Sequence, residues 1–191
     1  MFKILAMVIS YLLGNFSTSV IVSKVLANID IRNYGSGNAG ATNVYRTLGA
    51  KAAIITLLGD ALKGVVAVAL GRALGGENTA LICGVLVIIG HNWPVLFGFK
   101  GGKGIATAIG VGLSVHSLAA MICIFIGIMI LIKSKYVSLA SITAISIFPF
   151  LLLFDKGINY FIFGLVIAIM ALYRHRQNIE RLMKGIESKI R

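Results

Sequence analysis

Gly35 to Arg46 reads GSGNAGATNVYR, a small and polar run in a chain that is 58% hydrophobic. Its three glycines let backbone N–H groups approach an oxyanion closely. Ser36, Asn38, Thr42 and Asn43 add neutral hydrogen-bonding groups, and Arg46 adds fixed positive charge. The chemistry this suits is the holding of an anion. Gly35, Gly37 and Gly40 also spell GxGxxG, with Asp60 twenty residues beyond Gly40. A dinucleotide fingerprint needs a βαβ unit around it, and here an apolar run precedes and Asp60 lies inside another.

Two further polar segments interrupt the apolar sequence: GHNWPVLFGFKGGKGIAT over 90–107 and RHRQNIERLMKGIE over 174–187. In the first, Gly101, Gly102 and Gly104 flank Lys103 just before a helix expected to begin near Ile105. Exposed N–H groups at a helix start, beside a lysine, suit a phosphate. A Walker loop is not implied, because Gly104 stands where Ser or Thr would bind magnesium. His91 and Asn92 adjoin this loop, with Trp93 suited to a membrane interface and Pro94 to a helix end. In the second segment, His175 stands among Arg174, Arg176 and Asn178 and can serve as donor or base, with Arg181 one turn on. Ile179, Leu182, Met183, Ile186 and Ile190 recur at helical spacing and predict an amphipathic helix on the bilayer.

The elements that must position these segments are membrane helices. Apolar runs at Ile4–Val22, Ala50–Leu70, Thr79–Ile89, Ile105–Ile132, Leu139–Phe154 and Ile158–Tyr173 give six by simple count. Ile105–Ile132 is too long for one span at about 1.5 Å per residue and too short for two full ones. Ser114, His116 and Ser117 mark a break, giving Ile105–Val115 and Leu118–Ile132. The expectation is an all-α integral membrane protein of seven transmembrane helices, some short, forming a single membrane domain over 1–191. The N-terminus is expected outside and the C-terminus in the cytosol. Only Lys3, Arg72 and Lys156 then face outward, while the remaining loop and tail cations, through to Arg191, lie inside.

That distribution explains the net charge of +12 through orientation and contact with membrane lipids, not nucleic acid. The first run is expected to be an uncleaved span, since no small-x-small cleavage site follows it. Cys83 and Cys123 lie in apolar runs and act as small hydrophobes, and no ligand spacing points to a metal or cofactor. Asp60 and Lys63, three apart in one span, predict an ion pair facing the bundle interior.

All three polar segments fall on the cytosolic side and can share a site. SGNAGATNVYR, GHNWPVLFGFKGGKG and HRQNIERLMKGIE, with KYVSLASI at Lys135–Ile142 between them, resemble the bacterial acyl-phosphate:glycerol-3-phosphate acyltransferase family. The resemblance implies an enzyme of the bacterial cytoplasmic membrane. It would move a fatty acyl group from acyl phosphate to the 1-hydroxyl of glycerol 3-phosphate, releasing lysophosphatidate and phosphate. Ser36, Arg46, Lys103 and the Gly101–Gly104 backbone would then bind phosphate. Asn38, Thr42, Asn43, His91, Asn92, Asn178 and Arg181 would orient substrate, Ser141 would border the acyl groove, and Glu187 would be structural. His175, Asn178 and Ser36 would form the catalytic set, with His175 or a substrate phosphate taking the hydroxyl proton.

A transporter would need access from both faces, and a structural subunit would not need three glycine-rich patches. An acyl-CoA enzyme of the HxxxxD type is disfavoured, because Leu96 and Glu180 stand five residues after His91 and His175. The seven-helix arrangement predicts that a cysteine at His116 (His116→Cys) reacts with a membrane-impermeant maleimide added outside intact cells. Labelling from the cytosol alone would overturn it.

Overall fold

The computed structural model describes residues Met1–Ile190; Arg191, grouped above with the inner-face cations, lies outside the described residues. The chain divides into two compact units, Met1–Val115 and His116–Arg191. The first contains α1 (Phe2–Asn15), α2 (Thr18–Ala27), α3 (Ala41–Leu48), α4 (Ala50–Gly75), α5 (Glu77–Asn92) and α6 (Ile105–Val115). The second contains α7 (Ser117–Ser134), α8 (Val137–Lys156), α9 (Ile158–Arg174) and α10 (Arg176–Met183).

Among the described residues, five segments are long and apolar enough to cross a bilayer: Phe2–Ala27, Ala50–Gly75, Glu77–Phe97, Ser117–Ser134 and Val137–Lys156. α9 with α10 makes a sixth, bent by 61° where they join. α6 is apolar but has 11 residues, or about 16 Å of helix, short of the roughly 30 Å hydrocarbon core. The protein is an all-helical integral membrane protein. Its surface carries Leu5, Ile54, Leu58, Phe125 and Ile169, while Ser10, Asn15, Ser19, Thr56 and Asp60 are buried. That inversion of the soluble pattern is what lipid as solvent demands.

The long apolar run breaks where its length requires. α6 ends at Val115 and α7 starts at Ser117, with His116 as its cap, Nδ1 accepting the Ala119 N–H at 3.1 Å. The first run holds a break the sequence reading lacks: helix stops at Asn15 and resumes at Thr18. The Asn15 amide donates to Tyr11 O and accepts the Leu96 N–H, while the Lys63 ammonium binds the carbonyls of Gly14 and Phe16. A membrane helix can be interrupted only where such partners satisfy the freed backbone.

Small residues set the close crossings in the first unit. A Cβ on Gly90 of α5 would overlap the Tyr11 carbonyl and sit 3.0 Å from Gly14 Cα on α1. A Cβ on Gly110 of α6 would overlap the carbonyl of Ala61 on α4. Helices in lipid associate through this kind of backbone approach. In the second unit Gly164 of α9 does the same beside Pro149 of α8. Gly90→Ala is therefore expected to lower the thermal midpoint in detergent by several degrees. Gly127→Ala, whose Cβ would meet Ala144 at an ordinary 3.4 Å, should leave it unchanged or raised. Equal midpoints would overturn the packing argument.

Candidate active site

In the first unit the Gly35 insert is a short turn at Ile31–Asn33, a loop, and then α3. Ile31, Val44 and Ala52 bury together with Val22 and anchor α3 on α4. Asn43 ties the loop: its Oδ1 accepts the Ser36 N–H at 2.9 Å, and its Nδ2 donates to Tyr34 O at 2.9 Å and Ile31 O at 3.1 Å. The amide expected to orient substrate is thus 1% exposed and spent on backbone, as buried polar groups must be paired. Ser36 and Arg46 are exposed, and Asn38 and Thr42 half-buried.

Arg32 joins this insert to the next segment. Its guanidinium pairs with Asp30 at 2.6 Å and lies 5.3 Å over the Phe97 ring. The Arg32 hydrogen bond holds the Asp30 carboxyl below its ordinary value.

α5 ends at Asn92, the chain turns through Val95–Phe97, and the glycine loop returns onto the end of the helix. There the Gly102 N–H donates to His91 O at 3.1 Å. A Cβ on Gly101 would sit 2.6 Å from Pro94 Cδ, and one on Gly102 would strike the His91 imidazole and the Ala39 carbonyl. Gly104, at φ +81°, has Asn92 Oδ1 2.8 Å from its Cβ position. The loop is therefore wedged between the end of α5 and Ala39 of the insert. Only residues without side chains fit there. Lys103 is half-buried within this loop, immediately before α6. Two of the three polar segments thus meet within one unit.

His91 and Asn92 are both buried, at 5% and 0% exposure, beneath the loop instead of open to solvent. The predicted ion pair is present, with Lys63 Nζ 2.9 Å from Asp60 Oδ1.

In the second unit His175 sits at the corner between α9 and α10, 3% exposed, its Nδ1 2.7 Å from Ala171 O. A carbonyl only accepts, so Nδ1 carries the hydrogen and Nε2 the lone pair. The tail helix is shorter than its hydrophobic spacing suggests. It stops at Met183, and Gly185, at φ +68°, donates to Leu182 O while the Ile186 N–H donates to Arg181 O. This reversal, a Schellman motif, leaves Ile186 and Ile190 outside the helix.

The reversal returns Glu187 to α10. Its carboxylate accepts from Arg181 Nε at 2.6 Å, Asn178 Nδ2 at 2.7 Å and Ser138 Oγ at 2.8 Å. Burial raises its pKa, but these hydrogen bonds outweigh that and hold it below the ordinary glutamate value. Asn178 and Arg181, expected on substrate, both serve this carboxylate. Ser138 escaped the sequence reading, although it lies on the face of α8 that carries the half-buried Ser141 one turn later.

A family model described as glycerol-3-phosphate acyltransferase matches residues 4–185. The chain belongs to the glycerol-3-phosphate acyltransferase family. The glycerol-3-phosphate acyltransferase of Alkaliphilus metalliredigens is 59% identical over all of this chain and 97% of its own length. That of Clostridioides difficile is 45% identical over 98% and 95%. The crystal structure of PlsY (YgiH), an integral membrane glycerol 3-phosphate acyltransferase, in its glycerol 3-phosphate form aligns with a TM-score of 0.94 and 36% identity. The alignment covers 99% of this chain and 96% of that one. Its lysophosphatidic acid form gives 0.91 and 34%, covering 99% and 95%. This protein is accordingly a membrane acyltransferase of phospholipid synthesis.

Because the folded-state pKa of Glu187 is lowered, its docking is complete above the ordinary glutamate value of 4.5 and is lost as pH falls through the lower folded value. The tail beyond Gly185 should resist proteolysis at pH 5 and above and open only below about 4.5. Glu187→Gln should expose it at every pH. Equal cleavage of both proteins at neutral pH would overturn this.

Proposed function

We propose that this enzyme transfers a fatty acyl group from acyl phosphate to the 1-hydroxyl of glycerol 3-phosphate, yielding lysophosphatidate and inorganic phosphate. The reaction runs at the cytosolic face of the bacterial cytoplasmic membrane, within seven membrane helices whose N-terminus is outside. The observation that carries this reading is the wedging of the Gly101–Gly104 loop against Ala39. It brings the segment of Lys103 to the segment of Ser36 and Arg46, and both substrates are phosphates that need cations and N–H donors. The solved relatives named for their glycerol 3-phosphate and lysophosphatidic acid forms support the same acceptor and product.

In the transfer, the acceptor oxygen attacks the acyl carbonyl carbon and forms the ester. The bond from that carbon to the phosphate oxygen breaks, and inorganic phosphate leaves. Acyl phosphate is a mixed anhydride whose phosphate departs readily, so no strong general acid is needed. Lys103, Arg46, Ser36 and the loop N–H groups bind the phosphates and hold hydroxyl and carbonyl in register. His175 presents Nε2 as the side-chain base for the hydroxyl proton, which a substrate phosphate oxygen can also accept. Asn38, Thr42, Asn178 and Arg181 orient the polar heads, and Ser141 borders the acyl groove. Glu187 holds the tail.

Purified protein given labelled glycerol 3-phosphate and, separately, acyl phosphate, acyl-CoA or acyl carrier protein thioester should make lysophosphatidate from acyl phosphate alone. Product from a thioester would overturn the donor, and no product from any donor would overturn the reaction. Ser36→Ala should lower kcat/KM by roughly 100-fold, the scale of a lost oxyanion donor. No acyl-enzyme should be trappable in wild type, because Ser36 binds phosphate and does not attack. Isolation of acyl-Ser36 would sink that assignment.

A further inference from the structure

We infer that Lys63 and Asp60 lock His91 in one tautomer, so that its Nε2–H braces the phosphate loop at Gly102, making His91 a positioning residue for glycerol 3-phosphate. The inference rests on the reading of Gly101–Gly104 as the phosphate site. Neither Lys63 nor Asp60 lies in the polar segments that carry the chemistry.

Lys63, Asp60 and His91 are all buried, at 7%, 1% and 5% exposure. An ammonium inside a membrane bundle must be paired. Lys63 Nζ makes three hydrogen bonds, to His91 Nδ1 at 2.7 Å, Phe16 O at 2.9 Å and Gly14 O at 3.3 Å, and forms an ion pair with Asp60 Oδ1 at 2.9 Å. The Asp60 carboxylate beside it favours the charged ammonium, which has three hydrogens and no lone pair. It donates to His91 Nδ1 as well, and a neutral imidazole that accepts at Nδ1 carries its hydrogen on Nε2. Asp60 Oδ1 lies 3.7 Å from Nδ1, too far to draw a proton there.

Nε2 is the atom that a side chain at Gly102 would strike, at the point where the Ala39 carbonyl also approaches. The carbonyl of the same histidine accepts the Gly102 N–H. His91 thus meets the loop twice, through the hydrogen bond to its carbonyl and through the packing of its ring against Gly102, and Lys63 sets the direction of the ring. An Asp60–Lys63 pair that served only to close the α1 break would not need an imidazole at 2.7 Å.

Two variants and a spectrum separate the roles. His91→Gln keeps an N–H near the Nε2 position, whereas His91→Asn keeps an acceptor toward Lys63 and loses that N–H. His91→Asn should raise KM for glycerol 3-phosphate about tenfold, the scale of one charge-influenced hydrogen bond, with kcat within about twofold. His91→Gln should raise KM by less than about threefold. With 15N-labelled histidine, the wild-type signal absent from His91→Gln should report the Nε2–H tautomer alone, and Lys63→Met should convert it to a mixture.

Equal KM for the two His91 variants, or an Nδ1–H tautomer in wild type, would overturn the inference. The wild-type spectrum decides even where one of the two His91 variants fails to fold, since either one assigns the signal. Lys103→Met in the same assay separates this from the phosphate reading. An unchanged KM there removes the phosphate reading itself. A raised KM there, with none for His91→Asn, removes the role of His91 alone.

Discussion

A backbone that leaves helical form inside a bilayer must find its hydrogen bonds within the protein, and in the first unit the Lys63 ammonium supplies them. It caps the break after α1 through Gly14 O and Phe16 O, neutralises Asp60 on its own helix, and reaches His91 at the end of α5. Three helices and the approach to the glycine loop depend on that one charge. A hydrophobic replacement of similar length would fill the space and satisfy none of these groups.

Glycine carries the complementary constraint. Where Gly14 and Gly90 let α1 and α5 approach, the end of α5 is fixed in place, and Gly101, Gly102 and Gly104 then fold back over it. The same residue type serves two purposes. In the helices it gives close packing without a polar penalty, and in the loop it lets the backbone lie against the end of α5 and Ala39 beside a lysine. The placement of the loop is therefore a consequence of how tightly the helices beneath it are packed.

The tail solves a different problem. A short amphipathic helix at the end of a membrane chain has little to hold it, and here the Schellman turn at Gly185 sends Glu187 back to collect donors from α8 and α10. Asn178 and Arg181 are thereby held in place by that carboxylate.

Hydropathy and residue type alone determined the membrane class, the break in Ile105–Ile132, the Asp60–Lys63 pair and the three polar segments, because span length and charge burial follow from local composition. The family was legible too, in motifs that survive as contiguous strings. Tertiary structure decided what the side chains in those strings touch. Asn43 turned inward to its own loop, Asn178 and Arg181 turned to Glu187, and Ser138 entered through a neighbouring helix. The break in the first run was hidden, since Asn15 and Ser17 read as minor polar residues until Lys63, 47 residues from Phe16, stands beside them. Periodicity reports which face of a helix is apolar. It carries no record of which distant donor meets which carbonyl, and that pairing exists only once the chain has folded.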